Sequence, residues 1–181
     1  MNIIFLDVDG VLNNDACMIL HKKLLHPDCV EFFTDALDKI LEHKEIKIVI
    51  SSTWRKCADL SVFQERIWDN YTPCNIKLLD NLHEDWRTGY SKDGFRGGEV
   101  VEWLSRHPEV EKYVCVDDDS DFLPEQPLIQ TMTEYGFGWN ESKMLQAFFL
   151  KEILSKFYIT ESSFKIKKLQ QQRKFIKEYL S

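Results

Sequence analysis

The sequence has no apolar run long enough to cross a membrane. Its longest such stretches, including residues 48–50 and 147–150, are only a few residues long, whereas a membrane-spanning helix needs about 20 consecutive apolar residues. The N-terminal residues have no basic region, and their apolar run reaches Asp7 and Asp9 before any small-residue cleavage site. This pattern argues against a secretory signal. We therefore predict a cytoplasmic protein without a membrane helix.

Closely spaced cysteine pairs are also lacking. The five cysteines are an odd and scattered set without a Cys-x-x-Cys pair, whereas zinc sites typically use such pairs. Scattered single cysteines favour a reducing compartment over a disulfide framework. The cysteine content therefore agrees with a cytoplasmic location.

Glycine and proline are scarce, with seven and five residues among 181. No Pro/Gly-rich linker, internal repeat or low-complexity tract divides the chain. The hydrophobic share of 44% is enough for one sizeable core. We predict a single domain that covers residues 1–181.

Basic residues are few in the first 150 residues. This body carries 15 Lys/Arg against 27 Asp/Glu, while residues 151–181 carry eight against three. An acidic body repels polyanions on average, so a nucleic-acid partner needs a local basic patch. Apolar residues in the tail recur at helical spacing, which predicts a basic C-terminal helix at residues 160–181 that packs on the body. A basic arm that guides a polyanionic substrate is the alternative.

Apolar runs alternate with helical patterns along the chain. The sequence predicts strands at residues 2–6, 46–50, 76–79, 113–116 and 127–132, and helices that begin at Pro27, cover residues 60–68, follow Gly97 and Gly98, and run onward from residue 141. Continuous apolar strands that alternate with helices indicate an α/β fold, a doubly wound parallel sheet flanked by helices. In such sheets ligands bind beyond the carboxyl ends of the strands.

Two carboxylates follow the first predicted strand. Asp7 and Asp9 are two residues apart, so they point the same way from extended backbone, and Gly10 lets the chain turn at once. An Asx-rich turn is the structural alternative. An EF-hand calcium loop is disfavoured because an apolar strand precedes the motif and no glutamate stands at the required offset.

Hydroxyl groups follow the second predicted strand, in the run Ser51-Ser52-Thr53-Trp54-Arg55. A hydroxyl with neighbouring backbone N–H groups can hold phosphate oxygens, and Arg55 could add a charged fork. Ser and Thr also commonly cap a following helix, so this motif has a structural alternative as well.

Four carboxylates within five residues follow the predicted strand at 113–116, namely Asp117, Asp118, Asp119 and Asp121. They would repel each other unless a cation neutralises them, and oxygen ligands suit Mg²⁺. A solvated acidic loop is the alternative. Lys92 and Arg96 precede this strand, and either cation could brace a nucleophile and a phosphate. Arg96 stands directly before a predicted helix.

In this order the motifs resemble the haloacid dehalogenase (HAD) superfamily: a strand that ends in Asp-x-Asp-Gly-Val, a strand that ends in Ser, a Lys or Arg before a helix, and a strand that ends in paired Asp. The stretch from Arg96 to Leu104, followed by the Asp cluster, is also similar to the HAD-like domains linked to RNA-repair proteins. The resemblance covers about 150 residues. It implies a Rossmann-like doubly wound sheet, bound Mg²⁺ and an aspartyl-phosphate intermediate.

The resemblance also implies a role for each motif. Asp7 would be the nucleophile, and Asp9 would protonate the leaving oxygen and then activate water. An acid at the position of Asp9 favours phosphatase over dehalogenase chemistry. The remaining roles are phosphoryl contacts from Ser51 and Arg96, further substrate contacts from Ser52, Arg55 and Lys92, and metal ligation by Asp7, Asp9, Asp117 and Asp118.

Members of this superfamily often carry a cap domain after the first or second motif. Only about 40 residues separate Gly10 from Ser51, which is enough for one helix and its connections. The enzyme is therefore predicted to be nearly capless, and an open site suits a large substrate.

The function predicted from the sequence is a Mg²⁺-dependent phosphatase that hydrolyses a phosphomonoester. Its substrate is a nucleic-acid end, a phosphoprotein or a small phosphorylated metabolite. One alternative is a phosphatase that processes nucleic-acid ends. The other is a catalytically idle binding module, against which the intact Asp7 and Asp9 count.

Overall fold

A computed structural model describes residues 1–20, 25–56, 59–68, 76–91 and 94–151. The strands are β1 (Asn2–Leu6), β2 (Ile46–Ile50), β3 (Leu82–Arg87), β4 (Lys112–Asp117) and β5 (Leu128–Gln130). The helices are α1 (Asp15–Leu20), α2 (Pro27–Leu41), α3 (Leu60–Trp68), α4 (Ile76–Asp80) and α5 (Arg96–Arg106), with a 3-10 turn at Thr53–Lys56 and further helical backbone at residues 139–151. None of the described helices combines the length and apolar character needed to span a membrane.

The chain divides into two compact units, Met1–Gln146 and Ala147–Ser181. The first unit holds the whole sheet. Of the second unit, the structure describes residues 147–151, which are helical. The basic helix predicted at residues 160–181 lies outside the described residues, so it stays a prediction, as does the single-domain organisation.

All five strands are parallel and lie in the order β3-β2-β1-β4-β5. This arrangement confirms the predicted α/β fold. The central strand β1 pairs with β2 on one side and with β4 on the other, and Leu6 is in register with both Ile50 and Val116. Because parallel strands end at the same edge, the residues that follow these three positions are neighbours.

The core explains why the central strand is so apolar. Four successive residues of β1, from Ile3 to Leu6, are fully buried, as expected for a strand covered on both faces. The Phe5 ring makes edge-to-face contacts with Trp103 of α5 and with Tyr113 of β4, at centroid distances of 5.3 and 5.8 Å. Such aromatic pairs contribute about 1 kcal/mol each beyond the area that they bury, and they fix α5 against the sheet.

The third strand is not where the sequence placed it. Residues 76–79, which were predicted as a strand, lie in helix α4, and the strand is β3, a few residues later. That prediction was wrong because β3 is an edge strand, in which Trp86 alone is buried. An edge strand can carry charged residues, so the sequence HEDWR gives no apolar run to recognise.

Candidate active site

The parallel register brings three predicted motifs together at the carboxyl edge of the sheet. Asp7, Ser51 and Asp117 follow or end the neighbouring strands β1, β2 and β4. The ladder continues through them, since the Asp7 amide donates to the Val116 carbonyl and the Ser51 amide to the Leu6 carbonyl, both at 2.9 Å. The backbone therefore fixes the positions from which these side chains leave the sheet.

Three carboxylates form a compact group at this edge. Oxygen atoms of Asp7, Asp117 and Asp118 all lie within 4.8 Å of one another, and Asp7 and Asp117 are buried. Thr133 Oγ1 donates to Asp118 Oδ2 at 2.7 Å and holds the third carboxylate in place. Gly10 has a φ of 69°, and a Cβ atom there would overlap the Asp118 carboxylate. Glycine at this turn is thus needed both for its conformation and for the approach of Asp118.

Asp7 and Asp117 have raised pKa values, which indicates that their negative charges are not fully compensated. Burial raises the pKa of Asp7 from 3.8 to about 6, although Arg96 and the hydroxyl of Ser52 act in the opposite direction. Burial and the neighbouring Asp7 raise the pKa of Asp117 to about 8. Asp117 Oδ2 is buried and, within the described part of the chain, has no hydrogen-bond partner. An all-carboxylate group with a spare buried oxygen fits a hard divalent cation such as Mg²⁺.

Arg96 is the cation that the structure places in this group. Its Nη1 lies 3.3 Å from Asp7 Oδ1 and 3.5 Å from Asp117 Oδ2. Burial disfavours its charge, but Asp7 and Asp117 outweigh this effect and raise the pKa of Arg96. The Arg96 amide donates to Asp121 Oδ2 at 3.1 Å, so Asp121 anchors the start of α5. The other candidate cation, Lys92, lies outside the described residues.

The Asp9 side chain is separate from the three-carboxylate group. Trp54 Nε1 lies 3.0 Å from each of its carboxylate oxygens, and Asn13 Nδ2 donates to Oδ1 at 2.9 Å. The Asn13 side-chain oxygen in turn accepts the Gly10 amide at 2.8 Å. Sequence reasoning missed Trp54 and Asn13 as functional candidates. Asn13 is close enough in the motif to be suspected, whereas nothing in the sequence links Trp54 to a residue 45 positions away.

The two serines after β2 are both fully buried, but they differ in their contacts. The Ser52 hydroxyl bonds to Asp7 and lowers its pKa, and its Oγ also accepts the Trp54 amide at 3.3 Å. Ser51 Oγ has no hydrogen-bond partner among the described residues. A buried hydroxyl without a partner carries a cost, which a phosphoryl oxygen at this edge could remove.

The Arg55 guanidinium is bonded to groups other than the three carboxylates. It forms a buried ion pair with Glu99 of α5 and donates to the backbone carbonyls of Ser52 and Gly89 at 2.6 and 3.2 Å. Both terminal nitrogens of Arg55 are thus engaged, while its Nε has no hydrogen-bond partner among the described residues, and the predicted substrate contact stays a prediction. Arg55 joins the loop after β2 to α5.

These features define the class of the protein. A parallel α/β sheet whose central strand ends in a buried Asp, beside acids from the next strand and an Arg at a helix start, is the framework of HAD-type hydrolases. The chain matches the family described as the HAD domain in Swiss Army Knife RNA repair proteins over residues 3–141, and it belongs to that family. The predicted resemblance to RNA-repair-linked HAD domains is thereby confirmed. No curated protein and no solved structure matches the chain.

Proposed function

We propose that this domain is a Mg²⁺-dependent phosphatase that hydrolyses a phosphomonoester at a nucleic-acid end through phosphorylated Asp7. The observation that carries the proposal is the group of Asp7, Asp117 and Asp118, whose oxygens lie within 4.8 Å of one another and of which Asp7 and Asp117 are buried. Keeping such a group ionised is costly unless cations compensate it. We therefore expect a cation at this group, where negatively charged oxygens lie close to one another.

The residues present fit a magnesium ion. Asp7, Asp117 and Asp118 would hold it through carboxylate oxygens, and the backbone carbonyl of Asp9 would add a further ligand. Bound there, the cation offsets the repulsion between the nucleophile and a phosphate dianion. Arg96, 3.3 Å from Asp7, contributes positive charge on its own account.

The proposed chemistry has two steps. The Asp7 carboxylate attacks phosphorus and the ester P–O bond breaks, while Asp9 gives its proton to the leaving oxygen. Asp9 then takes a proton from water, whose oxygen attacks the phosphoryl group and releases Asp7. Ser51 and Arg96 would hold the phosphoryl oxygens, where charge has to be stabilised as the bonds loosen. The separate position of Asp9, outside the three-carboxylate group, suits this proton-transfer role.

The proposed substrate class rests on the family, which is described by its occurrence in RNA repair proteins. A phosphoprotein or a small phosphorylated metabolite is the alternative substrate. A catalytically idle binding module is the alternative from another class, and the presence of both Asp7 and Asp9 counts against it.

A substrate panel tests this proposal. We expect hydrolysis of an aryl phosphate with Mg²⁺ and none with a chelator, and higher kcat/KM for terminally phosphorylated RNA than for phosphopeptides or sugar phosphates. Asp7→Asn should abolish turnover, with folding verified by circular dichroism and thermal melting. The exposed Asp35→Asn on α2 is the matched control. Normal turnover in a folded Asp7→Asn variant would contradict the mechanism, and a clear preference for phosphopeptides would contradict the substrate class.

A further inference from the structure

A pocket lies between the segment after β3 and helix α5. Its volume is about 440 Å³, and its lining includes Gly89, Tyr90, Ser91, Gly98, Glu99 and Glu102. Glu99 also connects the pocket to the active-site loop, because it forms the buried ion pair with Arg55 and accepts the Ser91 amide at 3.0 Å. Pockets that bind small organic groups have volumes of about 300–1,000 Å³, so this one is large enough for a nucleobase.

Tyr90 gives the pocket an aromatic wall. Its side chain is 52% exposed, and its ring centroid lies 4.8 Å from the Arg55 guanidinium carbon and 5.8 Å from Lys56 Nζ. Proteins that bind single-stranded nucleic acid combine exposed aromatic rings with nearby cations, since bases stack on the rings while the cations attract phosphates. Tyr90 and Lys56 provide both elements in an otherwise acidic body.

The pocket also offers hydrogen-bond acceptors. Glu102 is oriented by Arg106, whose Nε lies 2.9 Å from Glu102 Oε1. A Cβ atom added at Gly89 would lie 3.3 Å from Glu102 Oε2, so the absence of a side chain at Gly89 keeps this wall open. Carboxylates accept hydrogen bonds from the exocyclic amino groups of bases. The pocket therefore combines a stacking face with acceptors for a base edge.

The position of the pocket suits a substrate whose phosphate lies at Asp7. The pocket follows β3, and Asp7 follows β1, with β2 between them. Neighbouring strands are about 4.8 Å apart, so the axes of β1 and β3 are roughly 10 Å apart across the sheet. A single nucleotide has dimensions on the order of that strand separation.

We propose that this pocket binds the base of the terminal nucleotide, which stacks on Tyr90 while Lys56 attracts the adjoining backbone. This inference rests on the proposed phosphatase function and adds a base-binding subsite to it. Stacking on Tyr90 is largely independent of base identity, so the subsite would distinguish a nucleotide from a bare phosphate. The carboxylate acceptors would add a preference for bases with an exocyclic amino group.

The test compares three substrates with Mg²⁺: RNA phosphorylated at its terminal nucleotide, the same RNA with an abasic terminal nucleotide, and p-nitrophenyl phosphate. The oligonucleotides are tested with the phosphate at either end. We expect the wild type to prefer the base-bearing RNA over the abasic RNA about tenfold in kcat/KM. Tyr90→Ala should remove this preference, and Tyr90→Phe, which keeps the ring, should retain it. Tyr135→Ala removes an aromatic side chain that is 70% exposed elsewhere and should leave the preference intact.

The outcomes separate the two proposals. If p-nitrophenyl phosphate and RNA are hydrolysed but the base preference is absent, or survives in Tyr90→Ala, the subsite is wrong and the phosphatase assignment stands. An equal loss of preference in Tyr135→Ala would also overturn it. If the wild type hydrolyses none of the substrates, the proposed function fails, and equilibrium binding of the two RNAs to wild type and Tyr90→Ala decides the subsite. A Tyr90-dependent preference for phosphopeptides over RNA would assign the pocket to a peptide and contradict the inference.

Discussion

The indole N–H of Trp54 is shared by both carboxylate oxygens of Asp9, each 3.0 Å from Nε1. Asn13 adds a second donor to Oδ1 at 2.9 Å. Donors from two different segments thus orient the Asp9 carboxylate, and Trp54 belongs to the loop after β2. Trp54 is therefore expected to position the side chain to which we assign proton transfer.

Trp54→Phe should slow turnover in a way that depends on the leaving group. The substitution keeps the ring but removes the N–H, so Asp9 loses orientation, which matters most when the leaving oxygen needs a proton. We expect kcat to fall about tenfold more for an alkyl phosphate than for p-nitrophenyl phosphate. Steady-state kinetics with both substrates measures this difference.

Trp139→Phe, at a ring that is 61% exposed, is the control and should slow neither substrate. Equal slowing of both substrates by Trp54→Phe would indicate a structural role for the indole and contradict positioning.

Asp117→Asn should stabilise the fold in the absence of divalent cations. The folded state must either bury the Asp117 charge beside Asp7 or take up a proton there, and Asn avoids both costs. The amide oxygen can still accept the Asp119 amide, which lies 3.0 Å from Asp117 Oδ1. We expect a gain of roughly 1 kcal/mol, typical when a strained functional charge is removed. Thermal melting with EDTA and with Mg²⁺ provides the measurement.

The same variant should lose most of the Mg²⁺-induced rise in Tm that we expect for the wild type, because a ligand stabilises the folded state little when its concentration is not far above its dissociation constant. Asp35→Asn serves again as the exposed control. A wild-type-like response of Asp117→Asn to Mg²⁺ would remove Asp117 from the proposed metal ligands.

Breaking the buried Arg55–Glu99 pair should be costly. Both side chains are 4% exposed, so Glu99→Gln leaves the Arg55 charge buried without its counter-charge. Such losses are typically about 3 kcal/mol. Replacing the pair together, as Arg55→Met with Glu99→Leu, should recover much of the stability because no charge then remains buried. Urea unfolding of Arg55→Met, Glu99→Leu and the double variant measures the coupling. Additive losses in the double variant would show that the pair is not coupled.

His83 should make stability fall as the pH drops through 6.5, against the opposite contributions of Asp7 and Asp117, whose raised pKa values favour the folded state at lower pH. Burial, followed by the nearby His107, lowers the pKa of His83 below its usual 6.5, with Asp85 and Glu109 acting in the opposite direction. The folded state therefore resists protonation of His83 more than the unfolded chain does. As the pH falls below 6.5, the unfolded chain takes up a proton that the folded chain resists, and this contribution to stability is lost.

His83→Gln should remove this contribution, so its Tm should rise relative to that of the wild type as the pH falls from 7.5 to 5.5, whereas the Tm of His43→Gln, at an exposed position after α2, should follow that of the wild type. Asp85 does not contribute to the pH dependence of Tm in this window. Burial raises its pKa, but hydrogen bonds from His107 and Arg106 outweigh this and lower it, so Asp85 contributes near and below pH 3.8. An unchanged slope in His83→Gln would contradict the assignment.

The parts of the fold that the sequence could predict are those buried on both faces. β1, β2 and β4 are continuous apolar runs because helices cover them, and α2 begins at Pro27 as its φ preference favours. The edge strand β3 was misplaced because it buries little and so needs few apolar residues. Hydrophobic periodicity reflects which residues are buried, so a strand with few buried residues has no clear hydrophobic pattern in the sequence.

The same reasoning separates the predictable part of the site from the rest. Parallel strands end at one edge, so the order of the motifs was enough to expect Asp7, Ser51 and Asp117 as neighbours. The contacts of Trp54 with Asp9 and of Arg55 with Glu99 depend on side-chain directions across 45 and 44 residues. Neither spacing nor residue type encodes those directions.

The central place of β1 has a consequence for how the protein loses activity. Its backbone is hydrogen-bonded to β2 on one side and to β4 on the other, so its amides can exchange with deuterium only when the sheet itself opens. Fraying at β3 or β5 would exchange those outer amides first and leave Asp7 in place. Asp7, the proposed nucleophile, thus directly follows the strand that we expect to exchange most slowly, and partial opening at either edge would precede, rather than accompany, the loss of the site geometry.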